Sequence, residues 1–258
     1  MGKKNKNNMN KIVLSTGSDQ KYLQKIQKYL ESIELNSNFD LNVLVCLDFD
    51  SGELESEYKN VKFSNLESSK LRAINSNNCL QHGEFLSCGL LSTLNDNDII
   101  IFTDGDVFLQ RPADETELNF LRNLKNDEIF VGFNNGPTDT LNDEYHRLSP
   151  TGIILIENYQ QITVYNTGIL CMNKKTWSKL LEKYVEKFPL VDKMFRLYPK
   201  QQWLLSYLFK DFDVKNMGSD FHNHDHFGVV EGTKVIDKTV YFNNKKSLFR
   251  HKWLTLVQ

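Results

Sequence analysis

Long apolar stretches are missing from this sequence: no uninterrupted hydrophobic run approaches the roughly 20 residues that a helix needs to cross a bilayer. No transmembrane segment is expected, and any membrane association would be peripheral. The first ten residues, MGKKNKNNMN, also lack the apolar stretch of a signal peptide. They are expected to form a disordered tail, 1–10, ahead of a single domain spanning 11–258. Lys6 stands where a myristoylation signal behind Gly2 requires serine or threonine.

Cysteine is scarce too. The four present, Cys46, Cys79, Cys88 and Cys171, form no Cys-x-x-Cys pair. Cys46 and Cys171 fall inside the apolar segments LVCLDF and ILCMNK, so they read as reduced packing residues of a cytoplasmic protein. A dominant charge is absent as well. Against 31 Lys and Arg stand 33 Asp and Glu, a formal net charge of -2. No global field recruits nucleic acid or an anionic surface, and any bound phosphate must be met by a local site. No repeat, linker or composition break divides the chain. Nothing in the sequence defines an oligomeric state.

What is present is an alternation of apolar runs and amphipathic segments over 258 residues, 40% hydrophobic and 25% charged. That is enough for one domain with a sizeable core. KIVLSTGSD, from Lys11, reads as a strand entering a small polar turn, Ser15 to Ser18. A helix is expected from about Asp19 to Ile33, where Tyr22, Ile26, Tyr29, Leu30 and Ile33 recur at helical spacing. Leu41 to Asp50 reads as a second strand, Val61 to Phe63 as a shorter one, and Leu80 to Leu94 as a helix. Ile99 to Phe102, a continuous β-branched and aromatic run, suits a strand covered on both faces. The alternation predicts an α/β fold: one Rossmann-like domain with a mostly parallel central sheet flanked by helices. Its ligand would sit beyond the carboxyl ends of the strands.

After Pro112 the pattern gives a helix near Glu115 to Leu124 and a strand from Glu128 to Phe133. A polar loop, Asn134 to Ser149, is placed to cover a site. TVYNTGILCMNKKTW reads as a strand interrupted by Asn166, Thr167 and Gly168, then a helix from about Lys174 to Phe188. Such an interruption marks either a close approach by a ligand or backbone, or a simple bulge. A short helix, Lys200 to Phe209, opens with Gln201 and Gln202, and KTVYFNNKKSLFRHKW closes the chain as a C-terminal β-hairpin turning at Asn243 to Lys245. Its second strand is expected to deliver His251, Lys252 and Trp253 to the surface.

The chemistry concentrates in TDGDVF. Asp104 and Asp106 sit one residue apart at a strand's carboxyl end, with Gly105 between them allowing both acids to reach one ligand. Two anionic oxygens there suit a hard divalent cation; a solvated acidic turn is the alternative. FHNHDHFG places His222, His224 and His226 on one side of an extended chain. Histidines in such a run are more commonly structural than ligands.

The order of TDGDVF, YNTGILCMNKKTW, a helix opening with QQW and a terminal strand ending in His-Lys resembles the nucleotide-sugar glycosyltransferases of the GT-A fold. It is most similar to the retaining family 8-like branch that includes glycogenin and the lipopolysaccharide galactosyltransferases, over roughly Lys11 to Trp253. The resemblance implies that Asp104 and Asp106 hold Mn2+ or Mg2+, the first acid also meeting the donor ribose. It implies that His251 completes the metal site, with His226 in HFGVVEGTK as the alternative ligand, and that Lys252 pairs with the diphosphate. The family spaces that histidine and lysine by several residues around a glycine; here they are adjacent. Asn166, Thr167 and Gly168 match the segment lining the donor sugar and acceptor. Gln202 matches the residue beneath the anomeric carbon, although many relatives have Asp where Gln201 stands, which leaves retaining or inverting transfer open. Ser15, Thr16 and Gly17 match the turn at the base and ribose, and Lys70 and Arg72 match donor-contacting cations.

The implied activity is hexosyl transfer from a nucleoside-diphosphate sugar, most simply a UDP-sugar, to a glycan, lipid-linked or protein hydroxyl. Tyr159, Tyr165, Trp203 and Phe227 are candidates to stack on a sugar. Two enzymatic alternatives share parts of the pattern. FTDGDVF resembles the nucleophile loop of haloacid dehalogenase-like phosphatases, with Asp104 as nucleophile, but those proteins carry it on their first strand. HNHDH resembles metallo-β-lactamase-like hydrolases but is one residue short between its second and third histidines. A GT-A protein that binds sugar or nucleotide without turnover is the non-enzymatic alternative.

Overall fold

The computed structural model describes residues 9–66, 93–132, 163, 165–194, 200–224 and 232–251. Its main sheet has seven strands: β1 (Ile12–Asp19), β2 (Leu41–Leu47), β3 (Lys62–Leu66), β4 (Ile99–Thr103), β6 (Glu128–Gly132), β7 (Asn166–Asn173) and β8 (Asp213–Asn216). Their order is β3-β2-β1-β4-β7-β6-β8. β1, β2, β3 and β4 run parallel, as do β6 and β8, while β7 is antiparallel to β4 and β6. The sheet is therefore mainly parallel, as the alternation predicted, with β7 as the reversed strand.

β4 lies at the centre, and all of its residues are buried. Successive side chains leave a strand on opposite faces, so burial on both sides demands an unbroken apolar run. Ile100 and Phe102 pack with Trp177, Leu180 and Tyr184 on one face; Ile99 and Ile101 pack with Ile26, Tyr29, Leu30 and Ile33 on the other. The first group of partners includes α4 (Lys174–Met194), and the second belongs to α1 (Leu23–Asn36). α5 (Lys200–Leu208) adds Leu204, Leu205 and Leu208 to the Trp177 side.

Several boundaries differ from the sequence expectation. β1 continues through Asp19, because Ser15 to Asp19 pair with Val43 to Leu47; the turn expected at Ser15 to Ser18 is strand. The Asp19 carboxylate then accepts from the Tyr22 N–H at 3.0 Å and caps a 3₁₀ turn, Gln20–Tyr22, that runs into α1 at Leu23, so the helical segment begins about where the spacing placed it. A short helix, α2 (Gly52–Glu57), went unforeseen because it buries no residue and so has no apolar periodicity. α3 (Glu115–Arg122) begins at a capping box in which Asp114 and Glu117 each accept from the other's backbone N–H. The expected helix Leu80 to Leu94 lies outside the described residues except for Thr93 and Leu94, which are not helical. The loop Asn134 to Ser149 lies outside them entirely.

The C-terminal part forms two small sheets. One is a meander of β10 (Thr233–Ile236), β11 (Thr239–Phe242) and β12 (Lys245–Lys246). Asn243 and Asn244 take φ of 47° and 65°, the left-handed pair that a tight hairpin turn needs. The hairpin expected at Asn243 to Lys245 is present, but its second strand stops at Lys246. The other sheet places β13 (Phe249–His251) between β5 (Val107–Leu109), antiparallel, and β9 (His222–His224), parallel. His251 therefore arrives on a separate strand and is buried, at 6% exposure, where the sequence suggested a surface position. Its ring faces inward, packed against Gly168 on one side and the His222 ring on the other.

Candidate active site

β4 ends at Thr103, and the next four residues make the turn into β5. Val107 N–H donates to the Asp104 carbonyl at 3.1 Å, which closes the turn. Gly105 does not take a left-handed φ, and a Cβ on it would touch only Ile26 Cδ1 at 3.6 Å and Cγ1 at 3.7 Å. The turn thus does not require glycine there, contrary to the sequence expectation. Asp104 N–H donates to the Gly168 carbonyl at 2.7 Å, tying the acidic turn to β7. Both aspartates are partly exposed.

The register of β5 with β13 pairs Val107 with His251. Asp106, one residue before Val107, is brought beside that histidine, with His251 Nε2 3.4 Å from Asp106 Oδ1. Two chain segments more than a hundred residues apart thus meet because β5 is a direct continuation of the acidic turn. Gln110 anchors the meeting. Its amide donates to the Ser247 carbonyl at 2.9 Å and the Val240 carbonyl at 3.2 Å, and its side-chain oxygen accepts from Val240 N–H at 2.9 Å. Arg111 follows with a bidentate pair to Glu117, at 2.8 and 2.5 Å, and a bond to the Lys246 carbonyl at 2.7 Å.

Asn166, Thr167 and Gly168 open β7 instead of interrupting it. Their irregularity is real: the ladder with β6 shifts register between Val131 and Gly132. The Asn166 side chain accepts from Gly168 N–H at 2.9 Å. Gly168 makes room for its neighbour, since a Cβ there would lie 2.5 Å from His251 Cε1 and force that ring to shift. The acidic turn, the Asn-Thr-Gly segment and the late histidine form one cluster at the carboxyl end of β4.

The remaining predicted residues are distributed as follows. Ser15 and Thr16 are fully buried in β1, and the Thr16 hydroxyl donates to the Thr103 carbonyl at 2.7 Å. Thr103 in turn donates to the Tyr29 hydroxyl at 3.0 Å, and burial pushes the Tyr29 phenol above its ordinary pKa. Thr16 and Tyr29 thus brace the end of β4; Ser18 and Asp19 are the residues nearest the carboxyl end of β1. Gln202, in the first turn of α5, is half-buried. Ser206 of the same helix accepts from Tyr165 N–H at 3.0 Å, joining α5 to the start of β7. Lys70, Arg72, His226, Lys252, Tyr159 and Phe227 lie outside the described residues. Gln110 belongs to no motif, and His222, one of the three histidines of FHNHDHFG, is set beside the site only by the ladder that β9 makes with β13.

No protein-family model matches the chain, and no curated protein does. Solved structures do. The galactosyltransferase LgtC, in complex with donor and acceptor sugar analogs, superposes with a TM-score of 0.56 at 14% identity, covering 93% of this chain and 86% of that one. An active-site Gln-to-Glu mutant of LgtC gives 0.54 at 14% identity with the same coverage. The fold is GT-A. Within this GT-A domain Asp104 follows β4, the fourth strand among the described residues, whereas the phosphatase resemblance calls for the first. No described helix is long and apolar enough to cross a membrane.

Proposed function

We propose that this protein is a metal-dependent glycosyltransferase that moves a sugar from a nucleoside-diphosphate sugar, most simply a UDP-sugar, to a hydroxyl of a glycan, lipid-linked or protein acceptor. The observation that carries the reading is the approach of His251 Nε2 to Asp106 Oδ1, 3.4 Å apart beside Gly168, on a GT-A fold. Adjacent ligands of an octahedral ion bound at about 2.1 Å lie about 3 Å apart. The pair therefore fits one Mn2+ or Mg2+ with little movement. Carboxylate oxygen with one imidazole is a donor set that Mn2+ accepts. Among the described residues no group of three or more His, Cys, Asp and Glu side chains is close enough to hold an ion alone. Asp104, the donor's diphosphate and water would complete the coordination.

A bound divalent ion supplies Lewis-acid neutralisation of the negative charge that develops on the departing diphosphate. This chain's own groups do the rest. Asp104 and Asp106 are aimed from a turn whose backbone is held by Gly168, so their placement is fixed before a donor arrives. Asn166, Thr167 and Gly168 line the sugar, and Lys252 pairs with the diphosphate. Gln202 holds the donor sugar and steadies a positively charged anomeric carbon through its carbonyl oxygen. Transfer with retention is the outcome that the resemblance to the family 8-like branch supports.

Asp106→Ala tests the assignment. It is expected to lower Mn2+-dependent release of nucleoside diphosphate by about a hundredfold or more, while circular dichroism and the melting temperature stay close to wild type. Undiminished turnover in that variant rules out this metal site.

A further inference from the structure

We propose that His222 is a positioning residue that fixes the plane of the His251 imidazole; the proposal rests on the reading of Asp106 and His251 as metal ligands. His222 lies on β9, alongside β13, with 0% exposure. Its ring centroid is 5.3 Å from that of His251, with the planes inclined at 50°. Each ring is seated against a glycine. A Cβ on Gly168 would come within 2.5 Å of His251 Cε1, and a Cβ on Gly132 would come within 2.9 Å of both Cε1 and Nδ1 of His222. Real Cβ atoms essentially never come that close, so a side chain at either glycine would force the facing imidazole to shift, and at Gly132 also Ile169, whose Cγ2 would lie 2.8 Å away.

Gly168, His251, His222 and Gly132 therefore form a stack over one end of β6 and β7, at the point where their ladder shifts register beside Gly132. His251 is prevented from swinging toward β7 by the backbone of Gly168 and toward β9 by the ring of His222. With both motions closed, Nε2 stays directed at Asp106. Burying an imidazole costs more than burying an apolar side chain of the same size, so simple filling of this space would not call for histidine. Neighbours that orient a metal-binding imidazole typically account for 10–100-fold in metal affinity.

The test is Mn2+ binding by the full-length protein, followed by electron paramagnetic resonance of free Mn2+ with UDP present, in a double-mutant cycle. His222→Ala is expected to weaken Mn2+ binding about tenfold in the wild-type background and to have no further effect when His251→Ala is already present. An equal loss in both backgrounds overturns the proposal, because His222 would then act on the fold generally. Unchanged affinity in the single variant overturns it as well. If His222→Ala does not fold, Gly132→Ala, which keeps the imidazole but displaces it, enters the same cycle with the same expectations. Failure of the wild-type protein to bind Mn2+ rejects the metal reading itself, whereas wild-type binding with an unaltered variant rejects only the role of His222.

Discussion

Gly168 concentrates three constraints in one residue. Its carbonyl accepts from Asp104 N–H, its own N–H donates to the Asn166 side chain, and its missing side chain makes room for His251. Gly168→Ala would place a Cβ against an imidazole ring that is itself hemmed in by His222, not against a side chain free to move away. Overpacking of this kind costs roughly 1–3 kcal/mol, and here it also turns His251 away from Asp106. We expect a lower urea midpoint together with weaker Mn2+ binding, measured on the same preparation; a variant stable and metal-binding as wild type contradicts the stack. The sequence made Asp104, Asp106 and Gly168 visible, because local motifs carried them. It misjudged Gly105, whose freedom the turn does not use, and it could not reveal His222, whose importance arises from a neighbour 29 positions away in the chain.

Among the elements, β5 and β13 decide whether a site exists at all. β5 has only three residues, Val107 to Leu109, yet it leads directly from the acidic turn and pairs with the strand that ends in His251. A ladder so short needs reinforcement, and Gln110, 8% exposed, supplies it with three side-chain bonds to the meander and to the segment before β13. Gln110→Ala leaves buried backbone groups of Val240 and Ser247 unsatisfied. Loss of such partners costs about 1–3 kcal/mol, so a fall of that size in unfolding free energy by urea titration is expected. An unchanged midpoint would show that β13 is held by its ladders alone. The long helices α1 and α4 were legible from apolar periodicity, and β4 from its unbroken apolar run. β13 was not, since a three-residue strand has too few positions to show a period. The Asn243–Asn244 turn was legible by its residue types, whereas the similar left-handed pair at Asp237 and Lys238, with φ of 47° and 62°, uses a lysine that gives no such signal.

Over the whole molecule, the mostly parallel sheet gathers strand ends at one crevice, and its far edge is secured by charge. Lys215 on β8 bonds Glu128 on β6 at 2.6 Å. That bond first, and then the Lys125 N–H, hold the Glu128 carboxyl below its ordinary pKa of 4.5. A carboxylate with a lowered folded-state pKa adds stability that is fully present above its unfolded value and is lost as pH falls through the folded value. Glu128→Gln should therefore be less stable than wild type at pH 7, with the difference shrinking as pH drops below about 4.5; a difference that stays constant across that range means the pair contributes nothing electrostatic.

The sequence indicated the α/β class and the parallel sheet because hydrophobic alternation reports layering directly, while the meeting of Asp106, His251 and Gly168 was implied only by the resemblance, and the ladders supply its physical cause. The most direct measurement is a donor screen: purified protein with Mn2+ and a panel of nucleotide sugars, scored by release of nucleoside diphosphate with and without a chelator. Release from one UDP-sugar that stops when the metal is removed is the predicted result, and it identifies the donor. Cleavage of a generic phosphomonoester with no release from any nucleotide sugar contradicts it, and assigns Asp104 and Asp106 to a different chemistry.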